Sequence, residues 1–372
     1  MISLTDVRRL LDTETGESAV LSLYLDTSVN SDNKRTWTVF LSKQRSRFSE
    51  LASDNGGREP IGVVLNRIDQ WMADEYRPEN RGVAIFAALD GSWFEAFQFN
   101  AVVQNRLVIS DAPVVGPLRE IVESNRRHTL LLVDRRQLRL ITVCMNVVED
   151  EQLIVKDEAP MRHDVKAGGE SAKDHQDYKA EEARQFFREF SAEIQKYDKK
   201  WKPTSYVLLG TNENTSHFRE FLPQQINDRI GHVGHGQMEE TASELMNLHR
   251  DYFETQALRV RAESIDLLRE RVRTGHFAAA GVDNTLEQLQ EGKVETLVIA
   301  RDLEGEGAQC TQCRFVLARR SGPCPYCGGS LRDGIDLAES MIRIATEQEA
   351  GVAFVERDVL RELDGVGVLL RF

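Results

Sequence analysis

The chain has 372 residues, of which 41% are hydrophobic and 29% are charged, and its formal net charge is −13 at pH 7. This length exceeds one ordinary domain and predicts two or three, each able to bury a core, and the composition argues against a disordered chain. The acidic balance argues against non-specific nucleic-acid binding through a basic surface, but it leaves room for local RNA contacts and for a basic protein partner.

Two features of the sequence bear on its location. The segment from Met1 to Asp6 lacks a basic region followed by an apolar stretch, which argues against a signal peptide. The longest apolar runs, such as 129–133, have the length of a strand, and none approaches the about 18 apolar residues of a membrane span. We therefore expect a cytoplasmic protein without a membrane partner.

Residues 1–128 are predicted to form a mixed α/β domain. Helical and strand-like patterns alternate here, with helices at 6–11, 37–51 and 61–72 and strands at 19–25, 83–88, 93–97 and 106–108. The pair Asp90-Gly91 between two of these strands is typical of a hairpin turn.

Residues 129–258 are predicted to form a second α/β domain. Its patterns are, in order, strands at 129–133 and 138–143, a polar loop at 155–176, a helix at 177–197 and a strand at 206–210. The acidic run 149–151 is interpreted as a solvated patch, with a hard-cation site as the alternative. The Gly- and His-rich segment 231–236 is interpreted as a flexible turn, and 238–274, which lacks Pro and Gly, as one long helix.

Residues 259–372 are predicted to form a third domain in which strands and helices alternate. Its patterns are helices at 285–289 and 335–347 and strands at 294–300, 352–355 and 366–371. A segment that contains four cysteines is inserted after the strand at 294–300.

The strongest chemical signal is a pair of Cys-x2-Cys motifs, formed by Cys310, Cys313, Cys324 and Cys327. In a cytosolic protein, clustered pairs favour a metal over disulfides, and each pair can direct two thiolates at one ion. Four thiolates leave no open coordination position, so we predict a structural Zn²⁺ in a zinc ribbon at about 308–331. A redox dithiol, ordinary core cysteines and iron are the alternatives. The fifth cysteine, Cys144, is expected to be a buried core thiol.

A second signal is the polar loop with the sequence Lys166-Ala167-Gly168-Gly169-Glu170-Ser171. Two adjacent glycines permit backbone conformations that are closed to other residues. The alternative to a functional role is a flexible loop that leads into the helix at 177–197, with Ser171 or Asp174 as its N-cap.

The order of these features resembles the archaeal and eukaryotic class-1 release factor and Pelota superfamily. More narrowly, it resembles the bacterial branch of that superfamily, which includes the ribosome hibernation factor Balon and its mycobacterial relatives. The resemblance covers about 129–372 and is most specific at 281–298 and in the terminal segment Gly-Val-Leu-Leu-Arg-Phe, residues 367–372. It implies an α/β fold class with three domains, of which the middle one is ribonuclease-H-like. The C-terminal domain would resemble kink-turn-binding proteins, with the zinc ribbon inserted.

The resemblance also implies a role for the glycine loop. In release factors of this superfamily, a Gly-Gly-Gln tip enters the peptidyl-transferase centre and helps water attack the peptidyl-tRNA ester. Gly168 and Gly169 match the two glycines, but Glu170 stands where the glutamine would be. An ionised carboxylate only accepts hydrogen bonds, and placing it among RNA phosphates costs desolvation and repulsion. The substitution argues against catalysis, although a backbone N–H after the glycines could still stabilise an oxyanion, so peptidyl-tRNA hydrolysis by residues 168–171 stays the alternative.

The resemblance implies that the protein binds ribosomal RNA of the decoding and peptidyl-transferase regions. The candidate contacts flank the glycine loop or lie in the connection at 27–35, and they are Arg162, His163, Lys166, Lys173, Asn33, Lys34 and Arg35. Residues 1–128 lack the Asn-Ile-Lys-Ser motif that stop-codon readers of the superfamily use. The expected function is therefore a ribosome-binding translation factor that occupies the A site without reading a stop codon.

Its expected roles are hibernation, stress protection or rescue of stalled ribosomes. The expected partner is a translational GTPase, with elongation factor Tu as the natural candidate. A zinc-stabilised adaptor without a ribosomal role is the second alternative.

Overall fold

A computed structural model describes residues 2–13, 18–29, 35–55, 60–145, 147–155, 172–318 and 322–371. The chain divides into two compact units, one formed by Met1–Ser124 together with Ala257–Phe372 and the other by Asn125–Gln256. The chain is thus a mixed α/β protein, as predicted. The three-domain division with boundaries near 128 and 258 stays a prediction.

The N-terminal part of the first unit is a four-stranded antiparallel sheet with the strand order β3-β2-β1-β4. Its elements are α1 (Leu4–Leu11), β1 (Val20–Asp26), α2 (Thr36–Asn55), α3 (Pro60–Asp74), β2 (Gly82–Ala88), β3 (Phe94–Phe99), β4 (Arg106–Ser110) and α4 (Gly116–Ser124). Helices α2 and α3 pack on this sheet through apolar residues such as Leu41, Val64 and Ile68. The predicted helices and strands occur within a few residues of their expected bounds, whereas α4 was not predicted.

The second unit is built on a five-stranded sheet with the order β7-β6-β5-β8-β9. Its elements are β5 (His128–Val133), β6 (Gln137–Cys144), β7 (Val147–Val155), α5 (Ala172–Trp201), β8 (Ser205–Leu209), α6 (Asn212–Arg219), α7 (Gln224–Asn227), β9 (Ile230–Gly234) and α8 (Ala242–Leu248). Strands β5, β8 and β9 are parallel, and β6 and β7 are antiparallel to their neighbours.

The two faces of this sheet carry separate apolar cores. On one face, Phe187, Phe190 and Ile194 of α5 follow the helical period and pack against β5, β6 and β8. On the other face, Leu245 of α8 packs against residues of β5 and β8 such as Leu132. Helices on both faces of a largely parallel core are the usual way to bury such strands.

Two predictions for this unit are wrong, and a third is met in part. The segment 231–236 is not a simple turn, because β9 pairs in parallel with β8. The helix at 238–274 is two helices, because α8 ends at Leu248 and the next helix begins at Arg250. The acidic run 149–151 lies in β7, where Arg127 donates to Glu149 over 2.9 Å and Arg139 pairs with Glu151 over 2.7 Å. Glu151 is exposed, as the predicted solvated patch requires, but the side chain of Glu149 is buried.

The C-terminal part of the first unit carries a second four-stranded sheet and a small three-stranded sheet. The elements are α9 (Arg250–Thr274), β10 (Ala278–Ala280), α10 (Val282–Gln290), β11 (Val294–Ala300), β12 (Glu306–Cys310), β13 (Val316–Leu317), β14 (Leu331–Asp336), α11 (Leu337–Glu347), β15 (Gly351–Val355), a 3-10 helix (Arg357–Leu363) and β16 (Val366–Leu370). The larger sheet has the order β10-β16-β11-β15, and the small sheet has the order β13-β12-β14. The strand predicted at 294–300 coincides with β11, and the helix predicted at 335–347 is confirmed from residue 337 as α11.

Polar contacts join the N- and C-terminal parts of the first unit. The carboxylate of Glu339 in α11 accepts the backbone N–H groups of Val115 and, over 3.0 Å, Gly116, and so satisfies the N-terminus of α4. The buried guanidinium of Arg119 in α4 donates to the carbonyl oxygen of Ala350 over 2.9 Å. These contacts explain why two segments far apart in sequence form one unit.

No helix in the described part of the chain combines the length and the apolar character that crossing a membrane requires.

Candidate metal centre

The four predicted cysteine ligands lie together in two turns of the same construction. In the first turn, the backbone N–H of Arg314 donates to the carbonyl oxygen of Cys310 over 3.0 Å, and the N–H of Cys310 donates to the carbonyl oxygen of Phe315 over 2.9 Å. In the second turn, Gly328 and Cys324 make the equivalent bonds, each over 2.9 Å. The residue after the second cysteine has a positive φ in both turns, +60° at Arg314 and +75° at Gly328. This left-handed step turns the chain so that both sulfur atoms of a pair face the same point.

The distances between the sulfur atoms fit one tetrahedral ion. All four Sγ atoms lie within 4.8 Å of one another. The Sγ atoms of Cys310 and Cys327 are 3.4 Å apart, and those of Cys313 and Cys324 are 3.6 Å apart. A tetrahedron with Zn–S bonds of about 2.3 Å has edges of about 3.8 Å, whereas a disulfide would need about 2.05 Å. The geometry favours a shared metal over either disulfide pairing.

The surroundings of the Cys310 sulfur atom favour its thiolate form. The backbone N–H of Gln312 donates to Sγ of Cys310 over 3.4 Å. Hydrogen bonding from the backbone of Cys313, the largest effect, lowers the pKa of the Cys310 thiol to about 6. A metal binds the deprotonated form, so these donors prepare Cys310 as a ligand. Among the described residues, these cysteines form the one group of three or more potential ligand side chains close enough to share an ion.

The small sheet fixes the cysteine turns to the rest of the unit. The side chain of Gln290 in α10 accepts the N–H of Val316 over 2.6 Å and donates to the carbonyl oxygen of Val316 over 3.0 Å. Val316 is buried in the core that also contains Leu289 and Leu337. The cysteine segment is therefore anchored through β13, and the metal would stabilise an insert that has few apolar residues of its own.

The other predicted site residues are described only in part. Gly168, Gly169, Glu170, Ser171, Arg162, His163, Lys166, Asn33 and Lys34 lie outside the described residues. Lys173 lies in α5, but its side chain also lies outside them. Arg35 is described, and it forms an isolated β-bridge with Val29 while its guanidinium lies 5.6 Å from the centre of the Tyr76 ring.

A histidine cluster was missed by sequence analysis. His232 in β9 and His249, between α8 and α9, face each other with Nε2 and Nδ1 3.2 Å apart. Nε2 of His249 lies 3.0 Å from the carbonyl oxygen of His235, so it donates, and His232 then donates to His249. Burial, and then the neighbouring His249, lowers the pKa of His232. The sequence does show His232 next to Gly231, within the segment 231–236. It does not show that His232 meets His249, because that contact depends on the pairing of β9 with β8.

Together, the fold and the cysteines define a mixed α/β protein with a cluster of four cysteines that could hold a metal ion. Residues 113–253 match the model of a family described as "Bacterial archaeo-eukaryotic release factor family 10". This range spans nearly all of the second unit, from β5 to α8. This part of the chain is thus similar to the bacterial members of the archaeo-eukaryotic release factors.

One curated relative is peptide chain release factor subunit 1 of Methanococcoides burtonii, which is 28% identical over 152 residues. That alignment covers 35% of this chain and 37% of the relative, so the chain matches little more than a third of the relative's length.

Solved structures of three proteins are also similar to this chain. The model of ribosome-bound archaeal Pelota and ABCE1 has a TM-score of 0.41 at 12% identity and covers 100% of this chain and 94% of that chain. Dom34 of S. cerevisiae, a translation termination-like factor involved in RNA quality control pathways and interacting with Hbs1, has a TM-score of 0.41 at 10% identity, covering 78% and 79%. The archaeal translation termination factor aRF1 has a TM-score of 0.27 at 16% identity, covering 100% and 99%.

Proposed function

We propose that the protein is a ribosome-binding translation factor that occupies the A site in hibernation, stress protection or rescue of stalled ribosomes. The observation that carries the proposal is the family match over 113–253, because this range contains the loop with Gly168, Gly169 and Glu170. The matched unit has its own sheet and two apolar cores, and in the sequence residues 156–171 connect β7 to α5.

The chemistry of Glu170 supports a binding role more than a catalytic one. An ionised glutamate cannot donate the hydrogen bonds that an amide offers to a water molecule or to an ester. By the resemblance to the release factors, residues 168–171 would point at the peptidyl-transferase centre. The connection at 27–35 lies outside the part of the chain that the resemblance covers, and it is our candidate for contact with the decoding region. The missing Asn-Ile-Lys-Ser motif is consistent with a factor that does not depend on a stop codon.

The proposed metal is Zn²⁺, held by Cys310, Cys313, Cys324 and Cys327, with a structural role. The proposed protein partner is a translational GTPase that binds the C-terminal domain. Dom34 interacts with Hbs1, and elongation factor Tu is our candidate for the corresponding role here. The cytoplasm is the proposed location, in keeping with a ribosomal role. The ribonuclease-H-like and kink-turn-binding-like descriptions of the last two domains belong to the same proposal.

Co-sedimentation with ribosomes tests the binding role. We expect the full chain to appear in the ribosomal fraction of stationary-phase cells and to be displaced by tRNA that fills the A site. A triple variant, Arg162→Ala, Lys166→Ala and Lys173→Ala, should bind more weakly, because each cation near RNA adds favourable phosphate contacts. The control, Lys196→Ala, Lys199→Ala and Lys200→Ala, makes the same change of charge near the end of α5 and should bind normally.

Absence from the ribosomal fraction under every growth and stress condition would rule out this function and leave the zinc-stabilised adaptor. Equal weakening by both triple variants would show that binding depends on general charge rather than on the loop.

The retained Gly168-Gly169 pair favours peptidyl-tRNA hydrolysis as a second candidate. A release assay with peptidyl-tRNA on purified ribosomes separates the two functions. We expect no release above background for the natural chain. Release that Gly169→Ala abolishes would establish the enzyme instead, and a gain with Glu170→Gln would show that the glutamate blocks a competent loop.

A further inference from the structure

A short groove lies between helix α10 and the cysteine segment. Its helical wall carries Asp283, Asn284 and Glu287, which follow the helical period on one face of α10. The opposite wall is formed by Phe315 and Tyr326, and Leu286 and Val316 also line the groove. These last two side chains are part of the buried core, so the floor of the groove is continuous with the body of the unit.

The walls are held at a fixed separation. The two hydrogen bonds between Gln290 and the backbone of Val316 tie α10 to β13 directly beside the groove. Phe315 and Tyr326 come from different cysteine turns, and their ring centres are only 3.8 Å apart. The aromatic wall is therefore assembled when the two turns come together, and it needs little rearrangement to receive a ligand.

The aromatic wall is unusually exposed to solvent for side chains of this size. Tyr326 is 57% exposed, although most large aromatic side chains contribute to a core or an interface. The groove has a volume of about 170 Å³. This is below the roughly 300–1,000 Å³ typical of sites for cofactors and drug-sized ligands. The groove fits a single side chain rather than a small-molecule ligand.

The negative charges around the groove determine which type of side chain it can bind. Asp283 and Glu287 are exposed carboxylates on its rim, and nearby Glu291 is paired with Lys293 over 2.6 Å. Carboxylates beside an aromatic face repel phosphate groups but attract a planar cation. A guanidinium can stack on the ring of Tyr326 while it donates two parallel hydrogen bonds to a carboxylate such as Glu287.

We propose that this groove binds an arginine side chain from a basic segment of a protein partner. The helix α10 supplies the carboxylates, Tyr326 and Phe315 supply the stacking surface, and Gln290 keeps the walls in place. On this basis the cysteine segment contacts protein rather than RNA. The inference does not depend on the ribosomal role proposed above, since it rests on the groove alone.

The test uses the full chain with its measured metal content and a fluorescein-labelled peptide of alternating arginine and glycine. Binding is followed by fluorescence anisotropy at about 150 mM salt, where long-range attraction to the acidic chain is screened beyond roughly 8 Å. We expect Tyr326→Ala and Glu287→Gln each to weaken binding about three- to thirtyfold, as the loss of a partly desolvated cation–π or ionic contact implies. Tyr326→Phe should bind like the natural chain, because it retains the ring.

The matched control is Glu304→Gln, which removes one exposed carboxylate of the same unit that does not line the groove. It should leave the affinity unchanged, and a lysine–glycine peptide should bind more weakly than the arginine peptide. Normal affinity of Tyr326→Ala, or equal losses for Glu304→Gln and Glu287→Gln, would overturn the proposal. A single-stranded RNA that competes with the peptide and shows the same sensitivity to Tyr326→Ala would assign the groove to nucleic acid instead.

The arginines of the chain itself need a separate control. Arg319 and Arg320 directly follow Ala318, which lines the groove. The double variant Arg319→Ala and Arg320→Ala should bind the peptide as the natural chain does. Much tighter binding by this variant would mean that the chain fills its own groove, and the assignment to a partner would then be wrong.

Discussion

At the scale of single residues, the metal centre depends on a local pattern that sequence can carry. Cys-x2-Cys followed by a left-handed residue, Arg314 or Gly328, forms a closed turn with internal hydrogen bonds. The spacing therefore predicts the ligand set without knowledge of the rest of the fold. What spacing cannot predict is the unequal burial within each pair, since Cys310 and Cys324 are buried and Cys313 and Cys327 are exposed.

Replacing a buried ligand should release the metal. We expect Cys310→Ser to lose the Zn²⁺ that we propose for this site and to destabilise the cysteine segment, because a structural zinc contributes its binding free energy to folding. Metal content by elemental analysis and the mass of the native protein measure this directly.

The control for this prediction is Cys144→Ser, since Cys144 is a buried thiol whose Sγ lies 3.1 Å from the carbonyl oxygen of Asn125, far from the cluster in sequence. It should keep one metal ion per chain. Metal retained by Cys310→Ser at the natural affinity would contradict the four-thiolate site.

At the scale of elements, strands with strong apolar character were predictable and those with polar or small residues were not. The strand β11 has five apolar residues in seven, and its bounds were predicted without error. The strand β9, Ile-Gly-His-Val-Gly, has low intrinsic preference for a strand and exists because β8 offers a parallel partner. The break between α8 and α9 falls at His249, whose contact with His232 has no signature in the local sequence.

The cap that Glu339 places on α4 makes a prediction about pH. Desolvation, the largest effect, raises the pKa of Glu339 from its ordinary value of 4.5 to about 7, although the N–H groups of Val115 and Gly116 oppose this shift. A raised carboxyl pKa means that the folded protein binds the proton more tightly than the unfolded chain does. The contribution of Glu339 to stability is therefore greatest at low pH, and it falls as the pH rises from about 4.5 to about 7.

Urea unfolding of the natural chain and of Glu339→Gln at pH 5 and pH 8 checks this sign. The stability of the natural chain relative to the variant should fall by roughly 1–3 kcal/mol between the two values of pH. Glu304→Gln, which replaces an exposed carboxylate of the same unit, is the control for the loss of one negative charge. A relative stability that increases toward pH 8 would show that the hydrogen bonds, and not desolvation, control this carboxyl.

At the scale of the whole molecule, the sequence predicted successive domains but not the association of the first with the last. Glu339 and Gly116 are 223 residues apart, and nothing in the local pattern around either residue indicates its partner. The same holds for Arg119 and Ala350. The family match, by contrast, falls mainly on the second unit, which is continuous in sequence. In such a unit the elements that pack together also follow one another along the chain, so a comparison of sequences can detect them.

This organisation predicts that residues 125–256 fold when produced alone. Both apolar cores of this unit draw all their buried members from within it. The isolated segment should unfold cooperatively by circular dichroism on heating. The segment 1–124 should be much less stable, because α4 would expose Arg119 and lose the carboxylate at its N-terminus. A segment 125–256 without a cooperative transition would contradict the division into two units.

The position of β16 has a consequence for biosynthesis. This strand, Val366–Leu370, lies between β10 and β11 rather than at an edge of its sheet. Neither neighbour can complete its pairing until residues 366–370 have left the exit tunnel of the translating ribosome. The second unit needs no such wait, because its strands are finished more than a hundred residues earlier. During synthesis, the second unit would therefore fold while the C-terminal sheet still lacks β16. The edges of β10 and β11 that pair with β16 would meanwhile be accessible to chaperones and to quality control.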